Sequence, residues 1–273
     1  MLLLGLLIGF RCPLAQAQDA EETLAEKVND PTANLMQFQL KDTYTPAQYG
    51  TTAQPNAFLL RPLLALRPYL FTPLTQIIRP TFNLMTIPEG TGASTRTELG
   101  DTQVFDLFLS PWPDDKSSGL RWGIGPYWVF PTASDKAAGD GAWQVGPAAA
   151  FRYAMTSRLM ISALMQQATS FAYTSSDRVP VTVLTLQPMI AYGFGKGWYV
   201  NSSDATWTFN LRHNTSTQIP LSLGLGKVWN FSRPYAANFS VVGQWMAYHQ
   251  FSDKYSQFSL VFQVGLLLPG REM

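Results

Sequence analysis

The sequence predicts an all-β protein: a transmembrane antiparallel β-barrel of about twelve strands, with ten as the alternative count, preceded by a short N-terminal helix. Three observations point there. From Met36 onward apolar and polar residues alternate with a period of two through most of the chain. The alternating segments are about twice the usual 5–6 residues of globular strands and match the roughly 9–11 that a membrane-spanning strand needs. Charged residues are only 14% of the 273, against about 25% in an ordinary soluble domain, while aromatics reach 13%.

The same figures exclude other classes. A formal charge of +1 gives no basic surface for nucleic acid. A single cysteine provides neither a disulfide framework nor a thiolate metal site. Past the N-terminal apolar run, no apolar stretch reaches helix-spanning length. The competing architecture is a soluble β-sandwich or lipocalin-like barrel; strand length and the weakly charged second face argue against it.

In chain order, Leu2–Phe10 is an apolar run followed by Leu14-Ala15-Gln16-Ala17. The small residues at 15 and 17 fit cleavage after Ala17, so residues 1–17 read as a signal peptide, although no Lys or Arg precedes the run. Its removal takes away Arg11 and Cys12. Residues 18–35 follow as a short periplasmic segment. Within it Leu24 and Val28 sit one helical turn apart, and Asn29-Asp30-Pro31 stops the helix. This segment is expected to tuck toward the periplasmic mouth of the barrel as a plug.

Residues 36–269 are assigned to the barrel and 270–273 to a tail. Strands are expected near 36–44, 57–66, 77–87, 101–111, 121–131, 143–154, 159–171, 180–192, 198–212, 219–230, 237–250 and 257–268. Turn-rich clusters such as Ser134–Gly141 and Gly193–Gly197 separate them. An even count returns both termini to the periplasmic side and places the longer loops, 88–99 and 132–142, outside. Trp122, Trp143, Tyr153, Trp198, Tyr199, Trp229 and Tyr248 gather near strand ends, as an interfacial aromatic girdle requires. Gly193-Phe-Gly195-Lys-Gly197 reads as a hairpin turn. Gly224 and Gly226 read as strand glycines that clear space inside the barrel.

Ordered sequence blocks also carry a resemblance. LAEKVNDPTANLMQFQL (24–40), FLLRPLLAL (58–66), IIRPTFNLM (77–85) and LGDTQVFDLFLSP (99–111) are followed by WGIGPYWVFPTA (122–133) and WQVGPAAAF (143–151). LQPMIAYGFGKGWYVNSS (186–203) and IPLSLGLGKV (219–228) complete the series. Together they resemble the bacterial "MetA-pathway of phenol degradation" family of outer-membrane transporters, over nearly the whole mature chain. The resemblance implies a Gram-negative outer-membrane barrel that passes small, often aromatic, compounds. One departure is the end of the chain. Many outer-membrane barrels finish on an aromatic residue read by the assembly machinery, whereas in this chain Leu268-Pro269 precede the tail.

No catalytic residue, metal site or cofactor is expected. His213 and His249 lack metal-ligand spacing, and no G-x-S-x-G elbow occurs. The informative charges are Arg61, Arg79, Asp106, Arg121, Arg152 and Arg212, each on the polar parity of its strand. A charge facing lipid near the midplane costs about 2–4 kcal/mol, so these side chains are expected to face the lumen. Asp106 is expected to pair with Arg79 or Arg121. The set reads either as a partly basic constriction or as a structural network that fills the interior. Lys227 shares parity with Leu221, Leu223 and Leu225, and is expected to snorkel at an interface.

The expected function is passive passage of small apolar or aromatic compounds across the outer membrane. The expected partners are the lipid bilayer, such solutes and the outer-membrane assembly machinery; nucleic acid is not among them. The alternatives are a barrel-borne lipid-modifying enzyme and a structural or adhesive barrel without transport.

Overall fold

A computed structural model describes residues 24–25, 27–66, 72–111, 119–202, 205–212, 217–232, 235–250 and 256–268. The expected signal peptide, the C-terminal tail and His213 lie outside these residues. The described strands are β1 (Met36–Gln48), β2 (Asn56–Leu66), β3 (Gln76–Pro88), β4 (Thr95–Leu99), β5 (Thr102–Leu109), β6 (Gly119–Phe130) and β7 (Ala142–Ala154). After them come β8 (Leu159–Tyr173), β9 (Thr182–Gly195), β10 (Trp198–Asn201), β11 (Trp207–Asn210), β12 (Thr217–Ser232), β13 (Tyr235–His249) and β14 (Ser256–Leu268).

These fourteen segments make twelve staves of one closed antiparallel sheet. β4 and β5 pair in turn with β3, and β10 and β11 pair in turn with both β9 and β12. Each pair is therefore one stave interrupted midway, at Gly100–Asp101 and at 202–206. β14 pairs with β1 from Met36↔Leu268 to Gln48↔Ser256 and closes the ring. Closure leaves no row of unpaired backbone groups at an edge, which a sheet immersed in hydrocarbon requires.

Alternation sorts the two faces. On β14, Ser259, Val261, Gln263 and Leu267 are buried inward, while Phe258, Phe262, Val264 and Leu266 are exposed outward. On β12, Ser222 and Val228 face in while Leu221, Leu223, Leu225 and Trp229 face out. A soluble protein does not expose dozens of large apolar side chains around its circumference. In this barrel they form a continuous outer band, which explains the low charge content.

Several local expectations meet the structure directly. The β9–β10 hairpin turns at Lys196 and Gly197, with φ of 53° and 72°, after Gly195 at 97°. A Cβ on Gly226 would land 2.2 Å from Tyr199 Cζ, so this glycine makes room for that ring. Lys227 faces outward; its ammonium lies 4.9 Å from the Trp198 ring centroid and donates to the Lys196 carbonyl at the barrel rim.

The structure corrects two expectations. Tyr199 is not part of the outer girdle. It faces inward at 2% exposure and donates its hydroxyl to Asn238 Oδ1 at 2.7 Å, because β10 places its odd positions inside. The N-terminal segment forms no helix element among the described residues. A single turn remains, closed by Val28 N–H on the Leu24 carbonyl at 3.0 Å. Pro31 and the side-chain bonds of Asn29 and Asp30 end it there.

Candidate functional site

The inner wall carries an uneven charge pattern. On β1, β2, β3, β6 and β7 the inward charges are Lys41, Arg61, Arg79, Arg121 and Arg152, and all are cationic. Lys41, Arg61 and Arg152 are buried. Arg79 Cζ sits 4.4 Å above the Phe105 ring centroid, a cation–π contact inside the barrel. Arg121 and Arg152 are direct cross-strand partners on β6 and β7. Like charges in that position repel unless an anion lies between them.

Residue Asp30 provides that anion. The chain from Leu24 to Leu35 runs against the inner wall at the end of the barrel that holds both termini. Ala25, Ala33 and Leu35 pack with Tyr199, Val228, Ala236 and Leu267, all inward residues. Asn29 accepts from Asn201 Nδ2 at 2.7 Å, and its carbonyl accepts from the Ser162 hydroxyl at 3.4 Å. Asp30 Oδ2 lies 3.5 Å from Arg152 Nε, while Oδ1 accepts both the amide and the hydroxyl of Thr32, at 2.7 and 2.6 Å. Burial pushes the Asp30 carboxyl above its ordinary value. Thr32 and the guanidinium groups of Arg152 and Arg121 pull the other way without overcoming it.

Next to these cations the wall is apolar. Ile77, Phe105, Leu107, Leu109, Tyr127 and Leu164 form one fully or nearly fully buried inward cluster. Between this cluster and the N-terminal segment lies a cavity of about 70 Å³ lined by residues that include Asn29, Asp30, Arg61, Arg79, Gln187 and Gln263. A water needs roughly 10–15 Å³ on this measure, so the cavity holds a few waters and no aromatic ring.

The structure divides the expected site residues. Arg61, Arg79, Arg121 and Arg152 face the lumen. Asp106 does not: it pairs with Ile78 on the outer face between Val104 and Phe108, and its carboxylate accepts from Gln76 Nε2 at 2.6 Å. In TQVFDLFL both parities are apolar apart from this residue, and the inward places go to Phe105, Leu107 and Leu109. Arg212 lies in the turn beyond β11, exposed at the end opposite the termini. Lys41, Asn29, Asp30 and Asn201 carry no sequence motif that singles them out. Lys41 follows from the same parity as Gln37 and Gln39, opposite Phe38 and Leu40.

At the far end, Asp101 occupies the break between β4 and β5. Its carboxylate accepts from the amides of Ala133 at 3.1 Å and Asp140 at 2.8 Å, which pins the 131–141 loop against the wall. His249, at the end of β13, stacks on Tyr49 with ring centroids 4.5 Å apart. Among the described residues no group of acidic, His or Cys side chains has a metal-binding arrangement.

No family model matches the chain, and no curated protein does. Among solved structures it is similar to an outer membrane channel from Pseudomonas putida F1, at 12% identity over 86% of this chain and 94% of that one, with a TM-score of 0.58. It also aligns with NanC porin at 11% identity, 85% and 99% coverage and a TM-score of 0.49. For KdgM porin the figures are 10%, 85%, 98% and 0.45. At such identities the first likeness speaks for the fold alone, a closed β-barrel like that of the channel it matches.

Proposed function

We propose that this protein is an outer-membrane channel for small solutes with an apolar or aromatic body, and that residues 24–35 act as its movable plug. The observation that carries the reading is the two-toned inner wall. Arg79 lies over the Phe105 ring beside Ile77 and Leu107, and the inward charges on β1, β2, β6 and β7 are also cationic. An apolar patch flanked by guanidinium groups favours solutes with a flat apolar surface and disfavours free cations. The resemblance to the phenol-degradation family supports the aromatic preference. In this reading the termini lie on the periplasmic side, and the machinery that assembles other outer-membrane barrels inserts this one.

A cavity of about 70 Å³ has no room for an aromatic ring, so solute passage requires the plug to shift. The polar contacts at Asn29 and Asp30 are the points at which it lets go. The test is purified full-length protein in planar bilayers, with heat-modifiable gel migration establishing the folded barrel. Small, anion-preferring conductance that changes on adding an aromatic solute is the expected result. A folded protein that carries no ionic current would refute the channel reading.

A further inference from the structure

We infer that the outer rim at the β9–β10 hairpin binds the headgroup of an anionic phospholipid of the periplasmic leaflet, through Lys227, Lys196 and Trp198. The headgroup site rests on the barrel itself. Its assignment to that leaflet rests on the orientation in the proposed function, with the termini periplasmic.

The site starts from a residue that breaks the pattern of its strand. Lys227 lies on the outward parity of β12, in line with the exposed Leu223, Leu225 and Trp229. Its cross-strand neighbours are Trp198 on β10 and Phe239 on β13, both exposed on the outer face. A lysine on a lipid-facing surface is tolerated where its ammonium reaches the interface. Lys227 does so across the Trp198 ring, with Nζ 4.9 Å from the centroid, and donates to the Lys196 carbonyl at 3.3 Å. An ammonium carries three N–H donors and this carbonyl takes one, so donors remain for a phosphate oxygen.

The hairpin brings a second cation to the same place. Lys196 is exposed in the turn, and Val228 N–H on the Gly197 carbonyl at 2.9 Å ties that turn to β12 beside Lys227. Phe194 stacks on Trp198 with centroids 6.5 Å apart and 16° between the planes, so the two lysines rise from an aromatic floor. Among the described residues no carboxylate lies within ion-pair distance of either lysine. From Gly141 to Ser252 the sequence holds only two acidic residues, Asp177 and Asp204, and Asp177 lies at the opposite end of the barrel.

The surrounding surface selects the kind of anion. Toward the membrane centre Lys227 is followed by Leu225 and Leu223 on β12 and by Val241 on β13, all exposed outward. A matching ligand carries negative charge at the level of the rim and hydrocarbon from there toward the midplane. An anionic phospholipid has that shape, with its phosphodiester on the ammonium groups and its acyl chains along the leucine ridge. A free phosphate uses only the polar half of this surface.

Native mass spectrometry of the full-length protein in detergent, with added phosphatidylglycerol or phosphatidylethanolamine, tests the site. Heat-modifiable migration checks that each variant is folded. Wild type is expected to retain phosphatidylglycerol over phosphatidylethanolamine roughly 5- to 20-fold, about 5-fold for each lysine. Lys196→Gln with Lys227→Gln should lose most of that preference. Lys196→Arg with Lys227→Arg should keep it, as should Lys136→Gln at the opposite rim. Equal retention of both lipids by wild type overturns the inference, and so does an unchanged preference in the double glutamine variant. Millimolar inorganic phosphate should leave lipid retention as it was; displacement by phosphate would reduce the site to a plain anion site and overturn the lipid assignment. The leaflet is read in cells with Lys196→Cys and a maleimide carried on a large polymer, which should label only after the outer membrane is permeabilised. Labelling of intact cells overturns the periplasmic assignment and the proposed orientation, whereas the preference in detergent reads the headgroup site by itself. A barrel that shows the lipid preference and never conducts refutes the channel reading alone.

Discussion

The two cationic walls of the lumen are built from the same residue type and yet differ in what answers them. On β6 and β7, Arg121 and Arg152 meet the plug through Asp30, and the space between is closed. On β1, β2 and β3, Arg79 lies over the Phe105 ring, and Arg61 and Arg79 border the cavity together with Gln37 and Gln39. One wall pairs with the N-terminal segment, and the other borders the cavity beside that segment.

The strongest way to break this comparison is to stop the plug from leaving its wall. Asn29 and Asn201 touch through their side chains, and replacing both with cysteine and bridging them fixes the plug covalently. Cys12, the chain's single cysteine, lies in the expected leader and does not compete. The bridged protein should lose all solute-induced current while keeping the small basal conductance, and a reductant should restore the response. A response that survives bridging would place the gate elsewhere.

Next in size is the charge of the wall that borders the cavity. Arg61→Gln with Arg79→Gln should cut the anion-over-cation permeability ratio several-fold, on the order of 1 kcal/mol for charges at the edge of water. Reversal potentials in a salt gradient measure it. Arg152→Gln should change the same ratio less, because Asp30 already offsets that wall. Equal effects from both walls would mean that the ion path is not confined to the β1–β3 side.

A smaller effect comes from pH. The docked Asp30 carboxyl lies above its ordinary value of 3.8, to which it returns when the plug swings into water. Docking therefore takes up a proton: it is fully favoured below the ordinary value and weakens as pH rises through the raised one. The charged groups facing this carboxyl from the wall and across the cavity are Arg121, Arg152, Arg61, Arg79 and Lys27. Plug release, read as open probability, should increase with pH over that interval, and Asp30→Asn should be flat. A wild-type profile as flat as the variant's would contradict that direction.

The smallest effect concerns the outer face. Asp106 lies among Val104, Phe108 and Ile78 with Gln76 as its partner. Asp106→Val should raise the urea midpoint of the barrel by an amount equivalent to roughly 1 kcal/mol, since a lipid-facing carboxylate is mildly unfavourable. The permeability ratio should not move. A shift in selectivity would return this residue to the lumen.

The fold is largely legible in the sequence because a barrel in lipid imposes one rule on every strand. Twelve staves and their faces follow from the alternation of residues such as Phe258, Phe262 and Val264 with Ser259 and Gln263. The rule fails where both parities are alike. Around Asp106 the chain is apolar on both sides, so register with Ile77 and Arg79 decides, and that is a long-range fact. Tyr199 is misplaced for the same reason, since an aromatic residue near a strand end suits either face. The plug's contacts escape for a different reason. Asn29 and Asp30 act through single contacts made by an irregular segment, and such a segment has no period to read. Arg212 falls outside the wall because its strand ends at Asn210, two residues short of the expected 198–212 segment.

The facing arginines also bear on the order of events during assembly. Residue 30 is synthesised before any strand of the barrel, yet the groups it answers come into register only when β6 and β7 pair. That pairing sets two guanidinium groups side by side, and Asp30 reaches them from outside the sheet. The N-terminal segment, first to be synthesised, is the last to find its place. When it arrives, it sets a carboxylate beside two like charges that strand pairing has already brought together.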